Sequence, residues 1–274
     1  MFGLRGQRRR LARSPAADLY LELLKKCVGN SIYDDDLDLM RGTFTRDEAS
    51  GKLVSTQGAR VEDHLKFLGL IWPSRAHTMI GVPRLDNLRA CAEAALDDGV
   101  EGDFIETGVW RGGAVIFMRG ILKAYGIEDR VVWVADSFAG LPPGDPARYA
   151  KESTVAFHEH GDLAVSLEQV QKNFARYDLL DAQVKFLKGW FRDTLPTAPI
   201  RKLALMRLDG DLYESTMDAL AALYPKLSPG GFAIIDDYNL IKACNDAVED
   251  FRRERGIAEP ISPIEGGGAF WRKG

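Results

Sequence analysis

At 274 residues the chain is long enough for one large core with a modest appendage, and a composition of 46% hydrophobic and 28% charged residues is that of an ordinary globular protein. A net charge of −4 excludes a nucleic-acid partner chosen by overall positive charge, so such a partner would need a local basic patch. No run approaches the roughly 20 apolar residues of a membrane span, and Cys27, Cys91 and Cys244, odd in number and far apart, suit neither a disulfide framework nor a zinc site.

These features predict a soluble cytoplasmic protein that binds neither nucleic acid nor membrane. Arg5, Arg8, Arg9, Arg10 and Arg13 crowd the start, but no stacking aromatics or basic stripe follow, so the segment reads as a solvated tail. Arg13, Ser14 and Pro15 follow Leu11 and Ala12 where a signal peptide would continue apolar. From Asp18 to Cys27 the pairs Leu19-Tyr20, Leu23-Leu24 and Cys27-Val28 follow helical spacing, with Asp18 placed as a cap. Between Tyr33 and Pro73 the pattern weakens. Asp34 to Asp36 open a polar stretch, Gly42 and Gly51 interrupt the segment from Arg41 to Leu53, and only Val61 to Leu70 reads as helix. Residues 1–75 are therefore expected to form a tail and an added helical lid or oligomer contact, and 76–274 the main domain.

A helix from about Pro83 to Leu96 places Leu85, Leu88, Cys91, Ala92 and Ala95 on one face and stops at Gly99. Strands at Gly102–Glu106, Val131–Asp136, Val184–Lys188, Leu203–Asp209 and Gly231–Asp236 then alternate with helices near Gly113–Tyr125, Ser166–Tyr177, Tyr213–Leu223 and Asn239–Arg255. Such alternation of near-continuous apolar strands with helices predicts a Rossmann-like α/β fold, its mostly parallel sheet covered on both faces. Ile257–Ile264 and Ala269–Arg272 flank three glycines and read as a hairpin closing one sheet edge.

Ligands of such sheets gather at the carboxyl ends of the strands. The residues there are Glu106, Asp136, Gly189, Asp209, Asp236 and Asp237. In Phe104-Ile105-Glu106-Thr107-Gly108-Val109-Trp110-Arg111-Gly112-Gly113 a strand turns through glycines into a helix whose free N–H groups face a ligand. Gly108, Gly112 and Gly113 do not make the G-x-G-x-x-G of a dinucleotide site, and Glu106 would repel a pyrophosphate while attracting a cationic amino-acid arm. Asp136 lies 28 residues after Gly108, where a carboxylate accepts ribose hydroxyls; capping of the next turn is its plainer role. S-adenosylmethionine satisfies all of these positions.

Leu208-Asp209-Gly210-Asp211 and Ile235-Asp236-Asp237-Tyr238 gather four carboxylates after two neighbouring strands, which costs Coulomb energy unless a cation joins them. Hard oxygen ligands suit Mg2+. A divalent ion there would lower the pKa of an acceptor hydroxyl, and a nearby carboxylate would take its proton, as an O-methyltransferase requires. Elsewhere, His158 and His160 could reach the acceptor but on a polar loop read as solvated, and His77 reads as structural or as orienting the neighbouring loop. Trp190 reads as stacking on adenine or as ordinary core.

Those stretches, with Ala76-His77-Thr78-Met79-Ile80-Gly81, Val134-Ala135-Asp136-Ser137-Phe138, Gly189-Trp190-Phe191 and Ser228 to Tyr238, carry a resemblance. From about residue 76 onward the chain resembles the macrocin and mycinamicin sugar O-methyltransferases of macrolide biosynthesis and the noviose O-methyltransferase of aminocoumarin biosynthesis. The resemblance implies a homo-oligomer, dimer or tetramer, that methylates a deoxysugar hydroxyl of a glycosylated small molecule with S-adenosylmethionine and Mg2+. It implies that Asp209, Asp236 and Asp237 hold the metal, with Asp209 also near the cofactor, and that Asp211 is the general base. Thr78, Met79, Glu106, Thr107, Gly108, Arg111 and Gly112 would meet the cofactor, Asp136 and Ser137 its ribose, and Gly189 and Trp190 its adenine. A metal-dependent phenolic O-methyltransferase and a catalytically silent nucleoside-binding protein remain as alternatives.

Overall fold

The computed structural model describes residues 11, 13–33, 37–152 and 156–274, without the side chains of 56–59. Arg5, Arg8, Arg9, Arg10 and Asp34 to Asp36 lie outside the described residues, whereas Arg13 is paired with Asp97 at 2.6 Å.

Helix α1 (Pro15–Val28) starts four residues earlier than the periodicity suggested. Its N-cap is Ser14, whose hydroxyl accepts the Ala17 N–H, and Asp18 falls in the first turn instead, where its charge still favours the helix dipole. A two-stranded antiparallel hairpin comes next, β1 (Leu37–Arg46) and β2 (Leu53–Arg60), then a short helix α2 (Asp63–Leu68). The segment expected to be a helical lid is thus helical only at its ends. The hairpin escaped notice because most of β1 faces solvent and its pairing shifts register between Asp38 and Thr43, which leaves no apolar alternation to read.

Beyond it the expected alternation appears: α3 (Gly81–Asp97), β3 (Asp103–Thr107), α4 (Gly113–Ala124), β4 (Val132–Asp136), α5 (Leu167–Arg176), β5 (Val184–Lys188), α6 (Phe191–Thr194), β6 (Leu203–Leu208), α7 (Tyr213–Leu223), β7 (Leu227–Ile235) and α8 (Lys242–Arg255). The last strands, β8 (Ser262–Pro263) and β9 (Ala269–Arg272), complete a seven-stranded sheet of order β5-β4-β3-β6-β7-β9-β8. The strands from β5 to β7 run parallel, while β9 is antiparallel to β7 and β8, so the C-terminal hairpin closes the edge as expected.

Apolar strands put core on both faces. Phe104, Val134 and Leu205 pack with α3 and α4, and Ile105, Met206 and Ile235 with α7 and α8. Leu21, Leu24 and Val28 of α1 belong to the first of these cores, where Leu24 fills the space over Gly120 of α4. Among the described residues no helix is long and apolar enough to cross a membrane, and the three cysteines are free thiols.

Candidate active site

A cavity of about 400 Å3 opens at the carboxyl ends of the parallel strands. Its floor is built by the β3 turn. Gly108 has φ 80°, and a Cβ there would overlap the Asp209 carbonyl, so only glycine lets β3 and β6 approach this closely. The Asp209 N–H reaches the Thr107 carbonyl at 2.9 Å and fixes the two strand ends together.

Three carboxylates converge on that floor. Oxygens of Asp209, Asp211 and Asp237 lie within 4.8 Å of one another, and Asp237 Oδ2 is buried without a hydrogen-bond partner among the described residues. Asp211 adopts φ 57°, a conformation few side chains accept, in order to face the group. Burial and the charges of Asp209 and Asp236 push its carboxyl up to about 8. Burial and Asp236 raise Asp209 to about 6 against the pull of Arg207. Asp237 is driven well above the carboxylate range by burial and by Asp211 and Asp209. A donor set of hard oxygens whose charges repel and whose buried oxygen lacks a partner fits a divalent cation.

Asp236, also expected to hold the metal, is not part of that three-carboxylate group. Its Oδ2 binds Arg84 and its Oδ1 binds Arg207, both buried guanidiniums. Arg207 also binds Glu106 Oε1, and Asp209 Oδ2 at 2.9 Å. Glu106 is 1% exposed and raised to about 8, chiefly by burial, and its Oε2 has no partner among the described residues. Neither arginine was singled out in the sequence, although Arg207 is the one charge inside the otherwise apolar Leu203–Leu208 strand and Arg84 shares the buried side of α3 with Leu85 and Leu88.

On the other side of Gly108, Asp136 ends β4. It accepts the Val109 N–H on Oδ2 and the Phe138 N–H on Oδ1, both at 2.7 Å, so it does cap the turns around it. Oδ1 also lies 3.4 Å from the Ser137 hydroxyl, and Asp136 lines the cavity. Ser137 also lines the cavity, but its hydroxyl already donates to the Gly140 carbonyl at 2.6 Å. Thr78, Met79, Glu106, Gly108, Trp190 and the four aspartates Asp209, Asp211, Asp236 and Asp237 line the cavity.

Thr107, Arg111, Gly112 and Gly189 do not. The Arg111 guanidinium donates to the carbonyls of Pro73, Ser74 and Ala76 at 2.9–3.0 Å and stacks on Trp110, which holds the segment leading to Thr78 and Met79. Gly112 caps α4 with φ 86°, where a Cβ would press on Val170 of α5. Thr107 is wholly buried, and the Gly189 N–H bonds the Asp136 carbonyl at 2.9 Å. His77 Nδ1 meets the Tyr177 hydroxyl at 2.7 Å. Burial, helped by Arg176 and Arg111, lowers its pKa to about 4, which favours the neutral ring.

The outer wall is apolar and comes largely from the region whose pattern was weakest in the sequence. Met40 of β1, Leu70 and Trp72 after α2, and Phe157 and Leu163 in two short 3-10 turns line it. His160 is not solvated: its ring packs edge-on against Phe44 and Trp72, each with centroids 5.3 Å away.

The family model for macrocin-O-methyltransferase matches residues 17–273, which extends the likeness well ahead of residue 76. A tetracenomycin rhamnosyl 4'-O-methyltransferase of Streptomyces olivaceus is 55% identical over 94% of this chain and 93% of its own length. Mycinamicin III 3''-O-methyltransferase of Micromonospora griseorubida is 50% identical over 96% of this chain and 99% of its own. The solved structure of the O-methyltransferase NovP superposes with a TM-score of 0.83 at 46% identity, covering 94% of this chain and 99% of NovP. That of a calicheamicin methyltransferase, at 20% identity and a TM-score of 0.58, covers 100% and 99% and shares the fold. The chain belongs to the macrocin-O-methyltransferase family and is an O-methyltransferase.

Proposed function

We propose that the protein moves a methyl group from S-adenosylmethionine to a deoxysugar hydroxyl of a glycosylated natural product, and that Mg2+ assists. The charge balance of the cavity floor carries the reading. With all groups ionised, the five carboxylates Glu106, Asp209, Asp211, Asp236 and Asp237 face the two guanidiniums Arg84 and Arg207, which leaves three negative charges. S-adenosylmethionine, with a sulfonium and an ammonium against one carboxylate, offsets one of these. A divalent cation offsets the other two.

Asp209 and Asp237 would hold the ion, whose chemistry is to make an acceptor hydroxyl more acidic. Asp211, beside both, is the proton acceptor; burial and its acidic neighbours keep its carboxyl protonated without metal, and a cation's charge would lower its pKa and free it to accept. Asp236 stays with Arg84 and Arg207 and fixes the floor. Glu106 Oε2 offers an acceptor to the donor's ammonium, Asp136 its carboxylate to the ribose, and Trp190 a face to the adenine. The apolar wall of Met40, Leu70 and Trp72 takes the remainder of the acceptor and excludes water.

The rhamnosyl group named for the Streptomyces olivaceus relative supports a glycosidic acceptor. Rhamnosylated and phenolic acceptors assayed in parallel, with mass-spectrometric location of the new methyl, test it. Methylated sugar is expected, and turnover of phenols alone overturns the sugar assignment. A homo-oligomeric, cytoplasmic enzyme is part of the same proposal. The free thiols fit a reducing compartment, and sedimentation of the purified protein reads its assembly.

A further inference from the structure

The end of α2, the start of α3 and the β8–β9 turn pack main chain against main chain beside the guanidinium of Arg84. Gly69 after α2 (φ 71°), Gly81 opening α3 (φ 73°) and Gly266 in the β8–β9 turn (φ 91°) each sit where a Cβ would overlap neighbouring main chain. For Gly69 the obstacle is Ile80, for Gly81 it is Gly69 and Leu68, and for Gly266 it is the Leu68 carbonyl. Arg84, 3% exposed, reaches into this junction. Its Nε donates to the Ile80 carbonyl at 2.7 Å, its Nη2 to the Gly69 carbonyl at 2.6 Å, and its Nη1 binds Asp236.

Each partner belongs to a different part of the site. Ile80 follows Thr78 and Met79, Gly69 opens the run through Trp72 on the acceptor wall, and Asp236 leads through Arg207 to Glu106 and Asp209. A buried guanidinium has no water to replace a lost partner, so a change in its hold on Asp236 is felt at the Gly69 carbonyl. We propose that Arg84 is a positioning residue that couples the Gly69–Trp72 wall to the carboxylate floor, so that a divalent cation at Asp209 and Asp237 stiffens the wall before any acceptor arrives. This coupling rests on the proposed metal site.

Hydrogen exchange of peptides covering residues 66–74, with and without Mg2+ and with no acceptor present, tests it, with Mn2+ binding followed by electron paramagnetic resonance in parallel. In the wild type, Mg2+ should slow exchange there by about threefold or more. R84K and R84Q, two variants that each keep only part of the donor fork, should still bind Mn2+ and lose the slowing. Wild-type protein that binds Mn2+ without slowing, or variants that slow as much as wild type, overturn the coupling. Wild-type protein that binds no Mn2+ overturns the metal reading, and the coupling with it.

Discussion

Asp211 is the residue whose environment says most about the chemistry. It is pushed up to about 8 by burial and by the neighbouring charges of Asp209 and Asp236, while an unfolded aspartate titrates near 3.8. An acid with a raised folded pKa stabilises the fold below its unfolded value and loses that contribution as pH rises through about 8. Without metal, the melting temperature should therefore fall between pH 6 and pH 8, and added Mg2+ should raise it more at pH 8 than at pH 6. D211N removes one repelling charge. At pH 8 without metal it should melt higher than wild type by roughly 3 °C, about 1 kcal/mol for a chain of this size, and it should lose nearly all turnover. Differential scanning fluorimetry at the two pH values reads the first effect. A metal-free D211N that melts lower than wild type contradicts this repulsion.

At the scale of elements, the parallel strands and the residues at their ends were readable because most of these strands are short apolar runs closed by an acid or a glycine. Leu203–Leu208 followed by Asp209 shows this best. The turn at Gly108 was readable for the same reason, since a tight strand–helix connection demands glycine. The β1–β2 hairpin was not, because its faces are mostly solvated and its register is broken, so neither alternation nor a two-residue turn marks it. Arg84 and Arg207 were missed because a buried arginine is intelligible only once its carboxylate partners are in place, and those lie on other strands. The hairpin and the run after α2 supply the acceptor wall, which gives a separable prediction. W72A should raise the acceptor KM about tenfold by removing the indole and the edge contact with His160, with the KM for S-adenosylmethionine changed less than about twofold. Steady-state kinetics against each substrate decide it, and equal rises in both constants contradict this division of the cavity.

Across the whole molecule, both cores serve to hold one row of strand ends in register. The first core extends into the N-terminal segment, across residue 75, because α1 lies on α4 with Leu21, Leu24 and Val28 buried. L24A should cost about 2–5 kcal/mol in urea unfolding, whereas L23A, at a position 56% exposed, should stay within about 0.5 kcal/mol. Similar losses in both would mean that α1 does not pack on α4 in this way. The proposed pairing of a donor pocket with a carboxylate floor, which full ionisation would leave with three negative charges, leads to one requirement above the others. Methyl transfer from S-adenosylmethionine to a rhamnosylated acceptor should vanish when the enzyme is stripped with EDTA and return on adding Mg2+ in excess of the chelator. Full activity in EDTA would contradict the metal-assisted mechanism.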